Sequence, residues 1–569
     1  MGNLEVAKIF RDIAKILEIK EDNPFRIRAY ERAAQNIEGL SEDLGEFVRK
    51  DTLLEIPGIG KDLQRKIKEF LATGRLKFYE DLKKNIPEGL LEIESIPSLG
   101  PKTTKLLYEK LKIKSLADLE KAIARKKLKG IFGIKEKTIE NIQKGIAVIK
   151  RGKERMTLAQ ATAVAVEFTA ELKKLPEVKK MAFAGSLRRQ KETVRDVDIL
   201  VISDKPTKVM SAFTKIPSVK DILAEGETKS SVRTKSDVQV DCRVVEPKSF
   251  GAALLYFTGS KNFNIKLRQL AIRKNLKVNE YGIFRKHSFV AGRTEEEIFK
   301  KLNLEYVEPE MREDNGEIEL ALKNNLPKLI ALKDLKGDLH THSRWSDGNN
   351  PIEEMARAAQ EFGYSYIAIT DHSQSLRVAN GLKVAELKKK KQEIEKLNKR
   401  LKNFRVLYGT EADIDSDGKI DYKDGVLKEF DIVVAAIHTG FKQSSAQLTR
   451  RLVAACKNKH VHIIAHLTGR LWGVRDPYAI DFEEVLKAAR DTNTHLEINA
   501  FPQRLDLNDL HARRAKESGV KLAISTDSHE TSQLSVIQFG LAVARRAWLS
   551  KEDVINTLSV ENLLKEIKK

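Results

Sequence analysis

Only two cysteines occur in 569 residues, Cys242 and Cys456, and they lie far apart in sequence. That excludes a disulfide scaffold, and no zinc ribbon or finger can be built from two thiols so far apart. No apolar run approaches the roughly 18 residues of a membrane span. The amphipathic start MGNLEVAKIFRDIAKILEIK has no apolar core and no small-residue cleavage site, so it does not read as a secretory signal. Met1-Gly2-Asn3 opens like an acylation site, but Val6 stands where Ser or Thr is needed. The expectation is a soluble, cytoplasmic protein. Acidic residues are also in short supply, with a net charge of +21. The excess is local: residues 101–300 hold 44 basic and 23 acidic side chains, whereas 311–569 hold 41 and 37. A basic block within a folded chain suits a polyanion such as nucleic acid, and a solvated Lys-rich surface is the plain alternative. At roughly 150 residues per domain there is room for about four units.

What is present starts with helices. Apolar spacing predicts them in Val6–Leu17, Arg26–Ile37, Leu63–Leu71 and Leu106–Leu111. Between them runs a repeat: Ile56-Pro57-Gly58-Ile59-Gly60-Lys61, then Ile96-Pro97-Ser98-Leu99-Gly100-Pro101-Lys102, then a weaker Ile131-Phe132-Gly133-Ile134-Lys135. Glycines before a helix let backbone approach a phosphate, and the free N–H groups of the helix start bind it without reading the base. The repeat resembles the helix-hairpin-helix DNA-binding motif, which makes Gly58, Gly60, Lys61, Gly100 and Lys102 candidate DNA contacts. The third copy lacks the second glycine, so it is read as structural only.

Residues 151–310 mix helices with strands at Lys180–Phe183, Asp198–Ile202 and Val238–Val245. In Arg195-Asp196-Val197-Asp198 the two carboxylates are two residues apart, hence on one face of a strand. Asp241, in Val238–Val244, adds a third on a later strand. Three gathered carboxylates repel unless cations bind, and two Mg²⁺ or Mn²⁺ ions are what in-line phosphoryl transfer needs. Upstream, Gly185-Ser186-Leu187-Arg188-Arg189 can present backbone N–H, hydroxyl and guanidinium to a triphosphate.

This combination resembles the nucleotidyltransferase palm of family X DNA polymerases, the family of polymerase beta. The resemblance implies that Asp196 and Asp198 hold both metals and that Asp241 activates a primer 3′-OH. It places Gly185, Ser186 and Arg189 at the triphosphate. Tyr256-Phe257-Thr258-Gly259-Ser260 falls on the sugar-contacting segment, Asn264 on the contact to the incoming base, and Arg268 on the minor-groove probe. It also aligns Lys66 with the lyase lysine that removes a 5′-deoxyribose phosphate. Neighbouring Lys61, Arg65 and Lys68 would depress its pKa, and a phosphate-binding lysine is the other reading. Two positions depart from the family pattern: Arg195 and Gln190 each replace a glycine.

From residue 337 onward apolar strands alternate with helices. Seven strands are expected: Asp338–His342, Tyr366–Thr370, Val406–Ile414, Ile432–Ile437, Val461–Ala465, Leu496–Ile498 and Leu522–Ser525. A His, Asp or Glu sits at the end of most, where a parallel barrel keeps its active site. Six of the eleven histidines join carboxylates there, and such N/O donors suit Mn²⁺, Zn²⁺ or Fe²⁺. This half resembles the PHP (polymerase and histidinol phosphatase) domain, a distorted (β/α)7 barrel with a trinuclear metal centre. Its nine ligand positions fall on His340, His342, Asp347, His372, Glu411, His438, His466, Asp527 and His529. Leu467 stands where proline is usual, Arg475 is a candidate phosphate contact, and His460, His462, His495, His511 and Cys456 lie outside the set. Lys388–Arg400 reads as a solvated charged helix. Asp413, Asp415, Asp417, Gly418, Ile420, Asp421 and Asp424 imitate a calcium loop, but a strand precedes them and the final Glu is missing, so they read as a turn beside Glu411.

The expected fold is multidomain. A lyase-like helical domain covers 1–85 and a helix-hairpin-helix fingers subdomain 86–150. An α+β palm covers 151–250 and a nucleotide-selecting thumb 251–310. An acidic linker at 311–333 precedes an α/β PHP barrel at 334–569. The resemblance implies a monomeric polymerase that takes dNTPs and gapped or nicked DNA in base excision repair. It implies a PHP-domain 3′–5′ exonuclease, with abasic-site endonuclease, 3′-phosphatase and 5′-deoxyribose phosphate lyase as further activities. A small-molecule phosphoesterase of the histidinol phosphatase type and a non-catalytic repair scaffold are the rival readings.

Overall fold

The computed structural model describes residues 3–569 apart from 39–43, 57, 85, 88, 95, 97–98, 130, 132–133, 135, 137, 141, 144 and 147–154. Pro57, Pro97, Ser98 and most of the third repeat (Phe132, Gly133, Lys135) therefore fall outside the described residues.

The N-terminal helices Asn3–Ile19, Pro24–Glu38, Lys61–Thr73 and Pro101–Leu111 cover all four expected segments and share one apolar core with their neighbours. Gly60 and Gly100 are the N-caps of the last two, both in extended conformation. A side chain at either would meet nothing within 4 Å, so both helix starts are open to an approaching ligand. Gly58 adopts φ +81°, a left-handed backbone that favours glycine.

The palm is a five-stranded sheet. Strand Asp196–Ile202 lies between Lys180–Phe183, antiparallel, and Gln239–Val245, parallel, and Lys229–Thr234 and Val219–Glu225 complete the edge. In the parallel register Asp198 sits opposite Asp241. Helix Leu158–Lys173, started by a Thr157/Gln160 capping box, buries Leu158, Ala161, Ala165, Phe168 and Leu172 in the palm core.

The thumb helices Phe250–Thr258 and Lys261–Arg273 pack with Ile298, Phe299, Met311, Ile318 and Ala321. The acidic stretch expected as a linker is thus packed for much of its length. Arg312 is fully buried on Glu295, and the Glu317 carboxylate accepts the N–H groups of Asp314 and Asn315. Trp548, from the far end of the chain, completes this core.

The C-terminal half is a seven-stranded parallel sheet in sequential order, with strands at or within a few residues of every expected position. A bridge from Thr341 to Ser528, with His342 N–H donating to Ser528 O at 2.8 Å, joins the first strand to the last. All five residues of its first strand, Gly337–Thr341, are buried, as expected when helices cover a parallel barrel. Helix Val384–Arg400 is not the uniformly solvated face expected: Lys390 is fully buried and paired with Asp371 at 2.8 Å.

Candidate functional site

Two constellations emerge. In the palm, Asp196 and Asp198 point from one face of their strand and Asp241 from the adjacent strand. Burial, then the charges of Asp196 and Asp241, push the Asp198 carboxyl up to about 7. Gly185 holds φ +61°, which favours glycine, and a Cβ there would displace the Asp198 carboxylate. The Gly185–Arg188 turn is thereby pressed against the aspartates, with Ser186 at its start. Gln190 holds φ 56°, so the glycine that the family pattern expects there would suit this left-handed backbone. Arg195 is exposed.

Arg189 is half-fixed. Its Nε donates to Glu313 at 3.0 Å and its Nη1 to Thr258 O, while Nη2 has no protein partner among the described residues. Arg188 instead forms a fork with Glu295 at 2.6 and 2.8 Å, and Arg312 grips the same carboxylate. Burial opposes ionisation of Glu295, but Arg312 and Arg188 outweigh it and hold the group at about 2. Asn264 Nδ2 donates to Tyr256 O at 2.7 Å and Arg268 Nε to Asn264 O at 3.2 Å, so the expected sugar, base and groove contacts form one chain. Phe257 lies under the Arg243 guanidinium, and Gly259 adjoins Arg189.

Lys66 differs from expectation. Its amine is buried beside the Tyr30 and Phe78 rings, and the charge facing it is the Asp62 carboxylate. Four residues along a helix is one turn, which stacks Asp62 on Lys66, while Arg65 turns to Asp62 and Lys68 to Asp51. The cationic shell read from the sequence does not surround the amine. Lys61 and Lys102 lie in the first turns of the two open helices.

The barrel brings its ligands together far more tightly. Ligand atoms of His340, His342, Glu411 and Asp527 lie within 4.8 Å of one another, as do those of His342, Asp347, His372 and His529, and those of His372, Glu411 and His438. His466 joins through Nε2, 2.9 Å from Glu411 Oε1. The palm aspartates are not among the described groups this close.

The polar atoms left over fit metal ions. His340 Nε2, both nitrogens of His342, His372 Nδ1 and Glu411 Oε2 are buried without a hydrogen-bond partner, which is costly unless a cation is there to receive their lone pairs. Burial, aided by His529 and His372, brings His342 down to about 4, and burial with Arg504 brings His466 to about 3, so both imidazoles are neutral donors. Burial lowers His438 and His529 as well, but Glu411 and Asp347 respectively outweigh it, leaving about 10 and about 9.

Sequence reasoning missed the groups behind these ligands. Glu497 Oε1 lies 2.8 Å from His340 Nδ1, and Asp413 Oδ1 lies 2.5 Å from His438 Nδ1. Asp371 accepts Ser343 N–H and both the Ser343 and Ser346 hydroxyls, fixing the turn that carries Asp347. Asp413 had a readable signal: it sits two residues past Glu411 on one strand, hence on the same face. The calcium-like run is a turn, as expected, with Asp415 capping the N–H groups of Asp417 and Lys419. Arg475 is occupied by Gly469 O and stacks on Phe441, whereas Arg504 Nε reaches 3.5 Å from Asp527.

Comparison with known proteins decides the family. The DNA polymerase/3′-5′ exonuclease PolX of Bacillus subtilis (strain 168) is 39% identical over 570 residues, 99% of both chains. The chain belongs to the family X DNA polymerases that carry a PHP domain. Family models match along its length: a helix-hairpin-helix domain over 1–76, a SAM-like helix-hairpin-helix tandem over 90–147, the DNA polymerase beta thumb over 253–313 and the PHP domain over 338–500. Relatives of the halves agree. DNA polymerase lambda of Rattus norvegicus is 25% identical over 350 residues, 55% of this chain and 56% of that one. A "Probable phosphatase" of Thermoanaerobacter sp. (strain X514) is 31% identical over 246 residues, 41% of this chain and 95% of that one. The chain is therefore an enzyme, a DNA polymerase with a PHP exonuclease/phosphoesterase domain. No helix among the described residues is long and apolar enough to cross a membrane.

Proposed function

We propose that this family X polymerase fills short DNA gaps in repair with dNTPs and trims 3′ ends with its barrel. The observation that carries the palm reading is the register pairing of Asp198 with Asp241 beside the Gly185 turn. Asp196 and Asp198 would hold Mg²⁺ or Mn²⁺, which when bound offsets the negative charge of the reacting phosphates. Asp241 accepts the proton of the primer 3′-OH. Ser186, the backbone at Gly185 and the free Nη2 of Arg189 receive the triphosphate. Tyr256, Phe257 and Gly259 border the sugar, and Asn264 and Arg268 the nascent base pair. The open helix starts at Gly60 and Gly100, with Gly58, Lys61 and Lys102, hold DNA phosphates on either side.

In the barrel, His340, His342, Asp347, His372, Glu411, His438, His466, Asp527 and His529 would hold Mn²⁺, Zn²⁺ or Fe²⁺, whose positive charge favours attack of water on a phosphate ester. Glu497 and Asp413 orient His340 and His438. Arg504, 3.5 Å from Asp527, is the proposed contact to the scissile phosphate. The same constellation supports abasic-site cleavage and 3′-phosphate removal. Lys66, buried beside the Tyr30 and Phe78 rings, is the proposed Schiff-base former for 5′-deoxyribose phosphate.

The test is a 5′-labelled primer on a one-nucleotide-gapped duplex with Mn²⁺. Extension with dNTPs and 3′ shortening without them is the expected result. Extension surviving Asp196→Ala plus Asp198→Ala would overturn the palm assignment, and shortening surviving His340→Ala plus His342→Ala the barrel assignment. Neither product despite tight binding would favour a scaffold. Turnover of a small phosphate ester indifferent to DNA would favour a small-molecule phosphoesterase. Borohydride reduction with a 5′-deoxyribose phosphate substrate should cross-link the native chain and not Lys66→Ala.

A further inference from the structure

The barrel reaches into the nucleotide site of the palm. Helix Ile537–Arg546 ends on Arg546, whose side chain is only 4% exposed. Asp509 clamps one edge of its guanidinium, accepting from Nε at 2.8 Å and Nη2 at 2.6 Å. The remaining nitrogen, Nη1, donates to Arg189 O at 2.9 Å and to Glu313 Oε1 at 3.0 Å, with Glu310 O at 3.5 Å. Glu313 Oε1 is also the atom that accepts Arg189 Nε. One carboxylate oxygen thus lies between two guanidinium groups, one from each catalytic half, with Lys191 3.5 Å away. Neighbouring contacts repeat the theme: Arg545 grips Glu310 at 2.7 Å, and Arg470 of the barrel grips Glu192 of the palm at 2.6 Å.

We propose that Arg546 is a positioning residue for the incoming nucleotide: by sharing Glu313 and holding the Arg189 carbonyl, it fixes the guanidinium that receives the triphosphate. This rests on the assignment of Arg189 to the triphosphate. The physics is competition for one carboxylate. With Arg546 present, part of the negative charge of Glu313 is spent on a second cation, and Arg189 is held in place without being neutralised. Burial works against ionisation of Glu313, but Arg189, Arg546 and Lys191 together keep it charged. Without Arg546, Glu313 turns wholly to Arg189 and competes with the triphosphate, while the Arg189 backbone loses its tether. Glu313 is therefore a contact through which the nuclease half sets the nucleotide affinity of the polymerase half.

The experiment compares the full-length protein with Arg546→Ala, Arg546→Lys and Arg189→Ala in single-nucleotide gap filling, together with 3′ shortening in the absence of dNTPs. Arg546→Ala should raise the KM for dNTP about fivefold to tenfold, the range of ordinary coupling between sites. Its kcat and its exonuclease rate should stay within about twofold, a change too small to count as lost catalysis. Arg546→Lys keeps the charge but gives up the fork, and should recover part of the KM. An unchanged KM in Arg546→Ala, with a raised KM in Arg189→Ala, overturns the proposal. An unchanged KM in Arg189→Ala instead overturns the assignment of Arg189 itself. If Arg546→Ala loses both activities together through unfolding, Arg546→Lys decides: a raised KM with intact exonuclease supports the role, and a native KM overturns it.

Discussion

The palm and the barrel gather their candidate metal-holding side chains in opposite ways. The palm uses three carboxylates on two strands, partly open, with like charges left facing one another. The barrel offers nine mixed candidate ligands distributed around a ring of strands, mostly buried, with carboxylates behind His340 and His438. Among the described residues the second is gathered within a few ångströms in the fold, and the first is not. The palm should tolerate loss of a ligand structurally while losing its chemistry, whereas the barrel should suffer in both.

The largest expected effect tests that contrast directly. Asp198→Ala should cut gap filling by about 10³-fold or more, because stabilising charge at the reacting phosphate is the main catalytic contribution. It should leave thermal stability equal or higher, since a repelled carboxylate is removed. His340→Ala should abolish 3′ shortening and also cost about 3 kcal/mol of stability in metal-free protein, because Glu497 Oε1 is left buried without the imidazole it faces. Equal Tm changes in the two variants would break the comparison.

A smaller effect sharpens it. Glu497→Gln keeps the size of the side chain but weakens its hold on His340, and should lower exonuclease activity and metal content about 10- to 100-fold. Gap filling should not change. Metal analysis alongside both assays reads this out, and a native metal content would show that Glu497 only fills space.

The smallest effect concerns the frame around the palm. Glu295 is held at about 2, against an ordinary value near 4.5, by Arg312 and Arg188 in spite of its burial. A depressed carboxyl stabilises the fold fully above its unfolded value, and that contribution fades as pH falls from about 4.5 toward about 2. Denaturant melts through this window should therefore show a steeper loss in the native protein than in Glu295→Gln. Parallel curves would remove Glu295 from the acid response.

Much of this was legible beforehand for physical reasons. The candidate metal ligands sit at strand ends in a period-two pattern, so Asp196/Asp198 and His340/His342 announce themselves locally. Seven barrel strands follow from short apolar runs that alternate with helices. The failures share one cause, namely dependence on partners remote in sequence. Glu497 is unremarkable until the barrel closes and sets it beside His340. Lys390 reads as solvated because its neighbours Lys388, Lys389 and Lys391 are alike, and only Asp371 explains why it turns inward. The environment of Lys66 was misjudged because a run of basic residues hides which of them share a helix face, and Asp62 stands one turn away. The acidic stretch near 308–318 has the composition of a tether, yet Arg312 and Glu317 are buried within it.

Trp548 has a consequence for how the chain is made. It fills the thumb core alongside buried residues of which the latest in sequence is Ala321, about 230 positions earlier. At roughly 5 to 20 residues per second of synthesis, the nascent thumb waits on the order of 10 to 45 s for its last core side chain to leave the ribosome. During that interval its apolar surface is incompletely covered, so a pause or premature stop within the barrel would strand an unfinished polymerase. Synthesis of the intact nuclease half is in this sense a checkpoint on maturation of the other.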